Sequence, residues 1–140
     1  MLSRVIYSVV ALSALAVAMA QSSPSDMGHG KTGSHHPHKR APKGRGGRAT
    51  WYIPGLGNCG GYSKYSDMIV ALPTSVYAGG KYCGKRIKIT NTKNGKTTYA
   101  KIVDSCPGCG GNDLDVAPKV FTAISKSLDD GVATINWDFA

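Results

Sequence analysis

The sequence contains no glutamate, so its eight acidic residues are all aspartates, against 17 lysines and arginines. Only 18% of the residues are charged, which argues against a charge-driven disordered protein over the whole chain. No apolar run beyond residue 20 is long enough to cross a bilayer, which excludes a multi-pass membrane protein. A length of 140 residues excludes a nucleotide-binding α/β domain of ordinary size. The 18 glycines indicate a small domain rich in turns.

The first 20 residues have the pattern of a secretory signal peptide. Residues 1–4 are a short basic start, residues 5–20 are mostly apolar, and Ala18-Met19-Ala20 provides the small residues of a cleavage site. A membrane anchor fits less well, because the apolar run is short and no basic stop-transfer segment follows it. We therefore expect cleavage before Gln21, a secreted extracellular protein, and no stable membrane association.

Residues 21–47 contain no Val, Ile, Leu, Phe, Tyr or Trp. Such a segment cannot bury enough apolar surface to offset its ordering entropy, so we predict a disordered basic tail. All four histidines lie here, and the cluster His35, His36 and His38 suits loose binding of Cu(II) or Ni(II). No fold holds these rings in place, so a solvated tail is the preferred interpretation and no metal or other cofactor is predicted. Lys39-Arg40 is a candidate site for proteolytic processing.

Residues 48–140 form the predicted domain, with 11 basic and 7 acidic residues. A domain of this size buries only about 60–65% of its unfolded surface, so cross-links would stabilise it. It contains all four cysteines, at Cys59, Cys83, Cys106 and Cys109. An even number in a secreted chain indicates disulfides, and three pairings are possible. We predict Cys59–Cys83 and Cys106–Cys109.

Two other roles for these cysteines are weaker. A four-thiolate zinc site would use Cys106 and Cys109 as one half, but the other two cysteines are 24 positions apart and the domain has no histidine. A redox Cys-x-x-Cys of the thioredoxin type begins a helix after a buried strand, whereas Gly110-Gly111 follows here.

The hydrophobic pattern predicts a mainly β domain with one clear helix. Strands are expected over residues 48–53, 68–72, 86–90, 97–103 and 131–139. Asn94-Gly95 suits a tight type I′ turn between the third and fourth of these strands. Pro118 suits the first turn of a helix over residues 118–126, in which Val120, Phe121 and Ile124 share one face. Many short strands with Gly-rich loops favour a small β-barrel.

Four segments carry a family resemblance: GRATWYIPGLGNCGGY (47–62), YCGKRIKITN (82–91), KIVDSCPGCGGNDLDVAPKVF (101–121) and GVATINWDF (131–139). Together they resemble the double-psi β-barrel of expansins, barwin-like proteins and the rare-lipoprotein-A type. Short secreted fungal loosenins, or expansin-like proteins, are the most similar forms. The resemblance implies a six-stranded double-psi β-barrel with one or two short helices and an open groove for a polysaccharide chain.

The resemblance also implies the residues of that groove. Thr50 and Tyr52 match positions that line it, and Asp104 and Asp115 match its two aspartates. Asp115 is similar in position to the general acid of related endoglucanases. The family usually has Asp-Leu-Ser-Pro where this chain has Asp-Val-Ala-Pro (115–118). Loss of a Ser N-cap costs about 0.5–2 kcal/mol of helix stability, so the loop holding Asp115 is expected to be looser.

The groove lacks one part of a hydrolase. Inverting hydrolysis needs an acid and a separate base, and the related endoglucanases place the base just after the first strand's aromatic residues. Residues 51–55 contain no carboxylate. Asp104 is a candidate substitute, although an aspartate at a strand end also suits a structural role in accepting backbone N–H bonds. Net hydrolysis is therefore not expected, and whether the protein is an enzyme stays open.

Aromatic side chains are expected to complete a sugar site, because pyranose faces stack on aromatic rings. Trp51, Tyr52, Tyr62 and Tyr65 lie in the segment that borders the groove, and Trp137 is assigned to the core. We expect a monomer that binds cell-wall polysaccharide such as cellulose, chitin, pectin or peptidoglycan and loosens it. A glycan-cleaving enzyme, such as a lytic transglycosylase, and a barwin-like cysteine-protease inhibitor or defence protein are the alternatives. Nucleic acid is not an expected partner.

Overall fold

Residues 40–140, described here from a computed structural model, form a closed six-stranded β-barrel. The strands are β1 (Lys43–Trp51), β2 (Ile69–Pro73), β3 (Arg86–Asn91), β4 (Thr97–Cys106), β5 (Leu114–Val116) and β6 (Ala133–Phe139). The helices are α1 (Thr74–Tyr77) and α2 (Pro118–Ile124), each followed by a single 3₁₀ turn, Ala78–Gly80 and Leu128–Asp130 respectively. The predicted signal peptide, most of the predicted tail and its histidine cluster lie outside the described residues.

The barrel closes in the strand order β1-β5-β2-β4-β3-β6. Two neighbouring pairs, β1–β5 and β2–β4, are parallel, and the other pairs are antiparallel. This arrangement confirms the predicted six-stranded double-psi barrel with short helices. Within the described residues no helix has the length and apolar character needed to span a membrane.

The core follows the alternation that the sequence predicted. In β3, Ile87 and Ile89 are fully buried, whereas the alternating residues Arg86 and Lys88 are exposed. Helix α2 covers one end of the barrel interior with fully buried residues that include Val120, Phe121 and Ile124. Trp137 is only 1% exposed, and its indole N–H donates to the carbonyl oxygen of Asn112 at 3.0 Å. The predicted core role of this tryptophan is confirmed.

Strand β1 begins at Lys43, five residues before the predicted start of the domain at residue 48. The segment has almost no apolar side chains, so its order comes from backbone pairing with β6 and from the Arg45–Asp138 ion pair. Gly44 lies against the indole of Trp137, and Gly47 lies against the backbone carbonyl of Asn112; a Cβ at either position would collide with these groups. Gly44 and Gly47, which lie in the predicted disordered tail, are therefore required for close packing.

The β3–β4 hairpin forms where predicted, but its turn is not type I′. Only Gly95 has a positive φ, of 72°, whereas a type I′ turn needs two such residues. The N–H of Gly95 donates to the carbonyl of Asn91 at 2.9 Å, which gives a longer loop. Asn94 instead uses its side chain, donating to the carbonyl of Ile124 and accepting from the N–H of Lys96. These bonds tie the turn to the last residue of α2.

Candidate functional site

Four residues form one row across four neighbouring strands. Thr50 of β1 pairs with Asp115 of β5, Asp115 pairs with Ala71 of β2, and Ala71 pairs with Asp104 of β4. Residues directly opposite each other on paired strands point to the same face of the sheet. Strands lie about 4.8 Å apart, so the Cα atoms of Asp104 and Asp115 are about 10 Å apart. Two carboxylates therefore lie on one face, separated by a small alanine side chain.

A β-bulge brings Asp104 into this row. The register between β2 and β4 shifts after the Val70–Ile102 pair, so Val103 is the extra residue of β4. Its carbonyl oxygen accepts from the N–H of Cys59 at 3.0 Å, which ties the bulge to the loop between β1 and β2. Without the extra residue, Asp104 would point to the opposite face of the strand.

The carboxylate of Asp104 is fixed by backbone donors. Its Oδ1 accepts from the N–H of Asn58 at 2.9 Å and from the N–H of Ser105 at 2.8 Å. The side chain of Asn58 also donates to the hydroxyl of Ser105. These contacts fit the structural role considered for Asp104 in the sequence analysis, in which an aspartate at a strand end accepts backbone N–H bonds. They also orient the second oxygen, Oδ2, which makes no hydrogen bond with the described residues.

Asp115 is held less completely and is partly buried. Burial raises the pKa of its carboxyl, while the Thr50 hydroxyl and the N–H of Val116 act in the opposite direction by donating hydrogen bonds to the charged form. The Thr50 Oγ1 to Asp115 Oδ1 distance is 3.0 Å. A carboxyl with a raised pKa in a groove is a candidate proton donor. Asp115 therefore has the electrostatic character expected of a groove acid.

Tyr52 lies near both carboxylates. Its N–H donates to the carbonyl of Val116 at 3.1 Å, which continues the β1–β5 pairing one residue past the strand. Burial raises the pKa of its phenol most, and the negative charges of Asp104 and Asp115 raise it further. The hydroxyl therefore stays protonated and can donate a hydrogen bond to a sugar oxygen. The structure thus brings together Thr50, Tyr52, Asp104 and Asp115.

The residue between β5 and α2 provides no side-chain cap for the helix. Ala117 is the N-cap residue and makes no side-chain hydrogen bond, as the sequence indicated. However, Ala117 is fully buried, and its N–H donates to the carbonyl of Ile69 at 3.1 Å. Its carbonyl accepts from the N–H groups of Val120 and Phe121. Backbone bonds to β2 and α2 thus fix the residues that follow Asp115.

Trp51 is placed differently from the prediction. It alternates with Thr50 and Tyr52 along the strand, so its side chain leaves the sheet on the opposite face. There it packs against the core cluster, and its indole N–H donates to the carbonyl of Leu128 at 3.0 Å. This placement separates Trp51 from Thr50 and Tyr52, so it does not favour the predicted role of Trp51 in binding polysaccharide. The period-2 alternation along β1 was the sequence signal for this orientation.

Tyr62 is 84% exposed and does not belong to the row. It pairs with Leu56 in a short bridge of the β1–β2 loop and lines a separate cleft of about 360 Å³ with Cys59, Cys83 and Lys101. A second cleft of about 230 Å³ lies at the Asp115 end of the row. Its lining includes Thr50, the Cys106–Cys109 disulfide and the ion pair between Arg48 and Asp113.

All four cysteines are oxidised, in the predicted pairs Cys59–Cys83 and Cys106–Cys109. The first disulfide joins the β1–β2 loop to the segment before β3, and the second closes a short loop after β4. Neither a four-thiolate zinc site nor a free dithiol is consistent with this pairing. Each disulfide contributes to one of the two clefts beside the row.

A model of the Barwin family matches residues 55–139. Among curated proteins, kiwellin of Actinidia chinensis var. chinensis is 37% identical over 92 residues. That alignment covers 56% of this chain and 43% of kiwellin, so the chain spans less than half the length of this relative.

Two solved structures are similar to the barrel. A mutant expansin of Clavibacter michiganensis in complex with cellohexaose has a TM-score of 0.62 and 26% identity, covering 71% of this chain and 50% of that chain. A papain inhibitor of Streptomyces has a TM-score of 0.60 and 26% identity, covering 73% of this chain and 97% of that chain. Both the sequence match and the barrel geometry therefore point to the same family.

Proposed function

The chain belongs to the Barwin family, and on that premise we propose that it is a secreted protein that binds a cell-wall polysaccharide in the groove between Asp104 and Asp115. In this proposal it loosens the wall without net hydrolysis. The expansin that resembles this barrel was solved with cellohexaose, which supports a glycan as the ligand. Two disulfides are consistent with an extracellular location.

The observation that carries the proposal is the row of Thr50, Asp115, Ala71 and Asp104 with the Tyr52 phenol beside it. It combines a carboxyl whose pKa is raised, a carboxylate oriented by backbone donors, and a phenol that stays protonated. These groups can hydrogen-bond the hydroxyl and glycosidic oxygens of one sugar unit. If Asp115 shares its proton with a glycosidic oxygen or a hydroxyl of the glycan, hydrogen bonds between neighbouring polysaccharide chains are replaced by hydrogen bonds to the protein.

Asp104 provides at most one oxygen for a general base. Such a base must accept a proton from water, and because Oδ1 of Asp104 already accepts two backbone N–H bonds, only Oδ2 remains for this role. No carboxylate occupies residues 51–55, where the related endoglucanases have their base. The separation of the two aspartates is nevertheless compatible with an intervening water. The experiment must therefore distinguish loosening from two kinds of cleavage. These are hydrolysis and lytic transglycosylation, which needs only one carboxylate.

The test is a binding panel of the secreted protein on cellulose, chitin, xylan, pectin and peptidoglycan, with and without salt. Creep of clamped wall strips measures loosening, and the release of soluble sugars measures cleavage. We expect retention on at least one polymer, creep of strips containing it, and no soluble product. Retention on none of the polymers would overturn the proposal, and soluble product would replace loosening by cleavage.

A second candidate function is inhibition of a cysteine protease. The papain inhibitor of Streptomyces is matched over 97% of its length, so a barrel of this size alone suffices for that protein. Residual papain activity after mixing with increasing amounts of the protein tests this candidate. Stoichiometric loss of activity, combined with no polysaccharide retention, would favour inhibition over wall loosening.

A further inference from the structure

A basic and aromatic cleft lies beside the Asp104 end of the groove. Lys101, Tyr62, Ser63, Gly84 and the Cys59–Cys83 disulfide line it, and its volume is about 360 Å³. We refer to it as the Lys101 cleft. Lys101 and Tyr62 are both exposed, so an ammonium group and an aromatic ring are available to one ligand.

The Lys101 cleft adjoins the groove through shared backbone. Val103, the bulged residue next to Asp104, is part of its lining. Cys59 also lines the cleft and donates its N–H to the carbonyl of Val103, while the preceding Asn58 donates to Asp104. A glycan chain that leaves the groove past Asp104 therefore meets the cleft within about one sugar unit, given the 3.3 Å rise per strand residue.

The positive charge at the cleft is unneutralised by the protein. Lys101 of β4 lies directly opposite Arg86 of β3, a pairing of like charges that is unfavourable in a sheet. Neither residue makes an ion pair with any of the described residues, where the ion pairs are Arg45–Asp138 and Arg48–Asp113. The guanidinium of Arg86 instead lies over the ring of Tyr99, 5.4 Å from its centroid. Arg86 therefore lies outside the cleft, and an anionic ligand at Lys101 would offset the repulsion that Lys101 experiences from it.

We infer that the Lys101 cleft binds the carboxylate of an acidic sugar, so that the polysaccharide recognised by the groove carries uronate units. The inference rests on the proposed function and gives its substrate class. The ring of Tyr62 offers a stacking surface for the sugar, and Lys101 offers the charge for its carboxylate. A neutral glycan would use the ring but not the ammonium group of Lys101.

Polygalacturonate and its fully methyl-esterified form make a matched pair of probes, because they have the same sugar backbone and differ only at the carboxyl group, which is charged in one and a neutral methyl ester in the other. The full secreted protein should be retained more strongly on polygalacturonate, and Lys101→Gln should weaken that retention about fivefold, the effect of one exposed charged contact. Retention of Lys101→Gln on the ester should equal that of the wild type. Tyr62→Ala should weaken retention on both polymers.

Lys119→Gln is the control for net charge, since Lys119 is an exposed lysine on α2 outside the cleft. A loss with Lys119→Gln as large as with Lys101→Gln would mean that overall charge is responsible and would overturn the inference. Equal retention on the acid and the ester would overturn it as well. Equal Lys101-dependent binding of single-stranded DNA would overturn the assignment to sugars, leaving a general polyanion site. Binding to neutral glucan without any preference for polygalacturonate would remove this inference alone, whereas failure to bind any polysaccharide would remove the proposed function.

Discussion

Thr50 donates its hydroxyl hydrogen bond to Oδ1 of Asp115 at 3.0 Å, across the parallel pairing of β1 and β5. The contact stabilises the charged form of a carboxyl whose burial favours the neutral form. Because burial is the larger influence, the pKa of Asp115 remains above its usual range. The Thr50 bond therefore offsets part of the effect of burial on the pKa of Asp115.

Replacing Thr50 by valine should raise the pKa of Asp115 further. Valine keeps the branched shape of threonine but cannot donate, so the charged carboxylate loses one of its two hydrogen bonds. Titration of the Asp115 side-chain carboxyl by NMR measures the shift directly. Thr90→Val is the matched control, since the Thr90 hydroxyl bonds only Thr97 in the β3–β4 hairpin. An unchanged Asp115 titration in Thr50→Val would contradict the role of this bond.

The same variant should change how stability depends on pH. A carboxyl whose pKa is higher in the folded state binds more protons there than in the unfolded chain. Its contribution to stability is therefore complete below the unfolded value, which is near 3.8, and is lost as the pH rises through the folded value. Thr50→Val should extend the pH range over which this stability is lost to higher pH. Urea unfolding should therefore show a larger loss of stability between acidic and neutral pH than in the wild type.

Gly44→Ala should destabilise the barrel by about 2 kcal/mol, because overpacking a close contact forces neighbouring groups to move. The added methyl would collide with the Trp137 indole, which is held in place by its bond to Asn112. Gly55→Ala should change stability by less than about 0.5 kcal/mol, because a Cβ there meets no atom within 4 Å. Equal unfolding midpoints for the two variants would show that the first residues of β1 do not close the barrel.

The two disulfides should differ in what they contribute. In the chain-entropy model, the Cys59–Cys83 bond closes the longer loop and is worth about 3 kcal/mol, whereas the Cys106–Cys109 bond is worth about 2 kcal/mol. Paired cysteine-to-alanine variants, unfolded in urea, test this order. The reverse order would indicate that the loop at the Asp115 cleft contributes native contacts beyond its cross-link.

The fold could be predicted from the sequence because the alternation of Ile87 and Ile89 and the helical face of Val120 and Phe121 are local patterns. The opening of β1 could not, because a strand built on Gly44 and its neighbours is stabilised by residues more than 90 positions away. The composition of residues 43–47 alone cannot predict pairing with such distant residues.

The site was predictable to a similar extent. Asp104 and Asp115 followed from the motif around the short disulfide loop, and the opposite orientation of Trp51 was implied by strand periodicity. The N–H of Asn58 that fixes Asp104 had no side-chain signal, since it is a backbone donor in a loop. The bulge at Val103 was equally hidden, because register depends on how two strands meet.

Tyr52→Ala should weaken retention on a neutral polysaccharide by about 1 kcal/mol, or about fivefold, through lost ring contact with the sugar. Tyr52→Phe keeps the ring and should retain most of the binding, so its difference from the wild type isolates the contribution of the hydroxyl and its difference from Tyr52→Ala isolates that of the ring. Tyr99→Ala is a control on the outer face of β4, where a half-exposed tyrosine lies outside the row. A loss for Tyr99→Ala matching that for Tyr52→Ala would argue against binding in the groove.

Asp115→Asn should separate binding from loosening. Asparagine keeps the shape of the side chain and an oxygen that accepts from Thr50, so folding and polysaccharide retention should remain close to those of the wild type. It cannot exchange a proton at ordinary pH, so creep of wall strips should be abolished. Asp104→Asn should reduce creep less, because in the proposed function Asp104 only orients the sugar through Oδ2, while backbone donors hold its Oδ1.

The matched control is Asp129→Asn, which makes the same replacement of a carboxylate by an amide at an exposed residue in the 3₁₀ turn after α2. Neither variant nor the wild type should release soluble sugars, because no base beside the end of β1 activates water. If Asp115→Asn extends the strips as fast as Asp129→Asn, proton exchange at the groove has no part in loosening. The exposed loops of the barrel would then be the better candidates for its function, and protease inhibition would become the leading hypothesis.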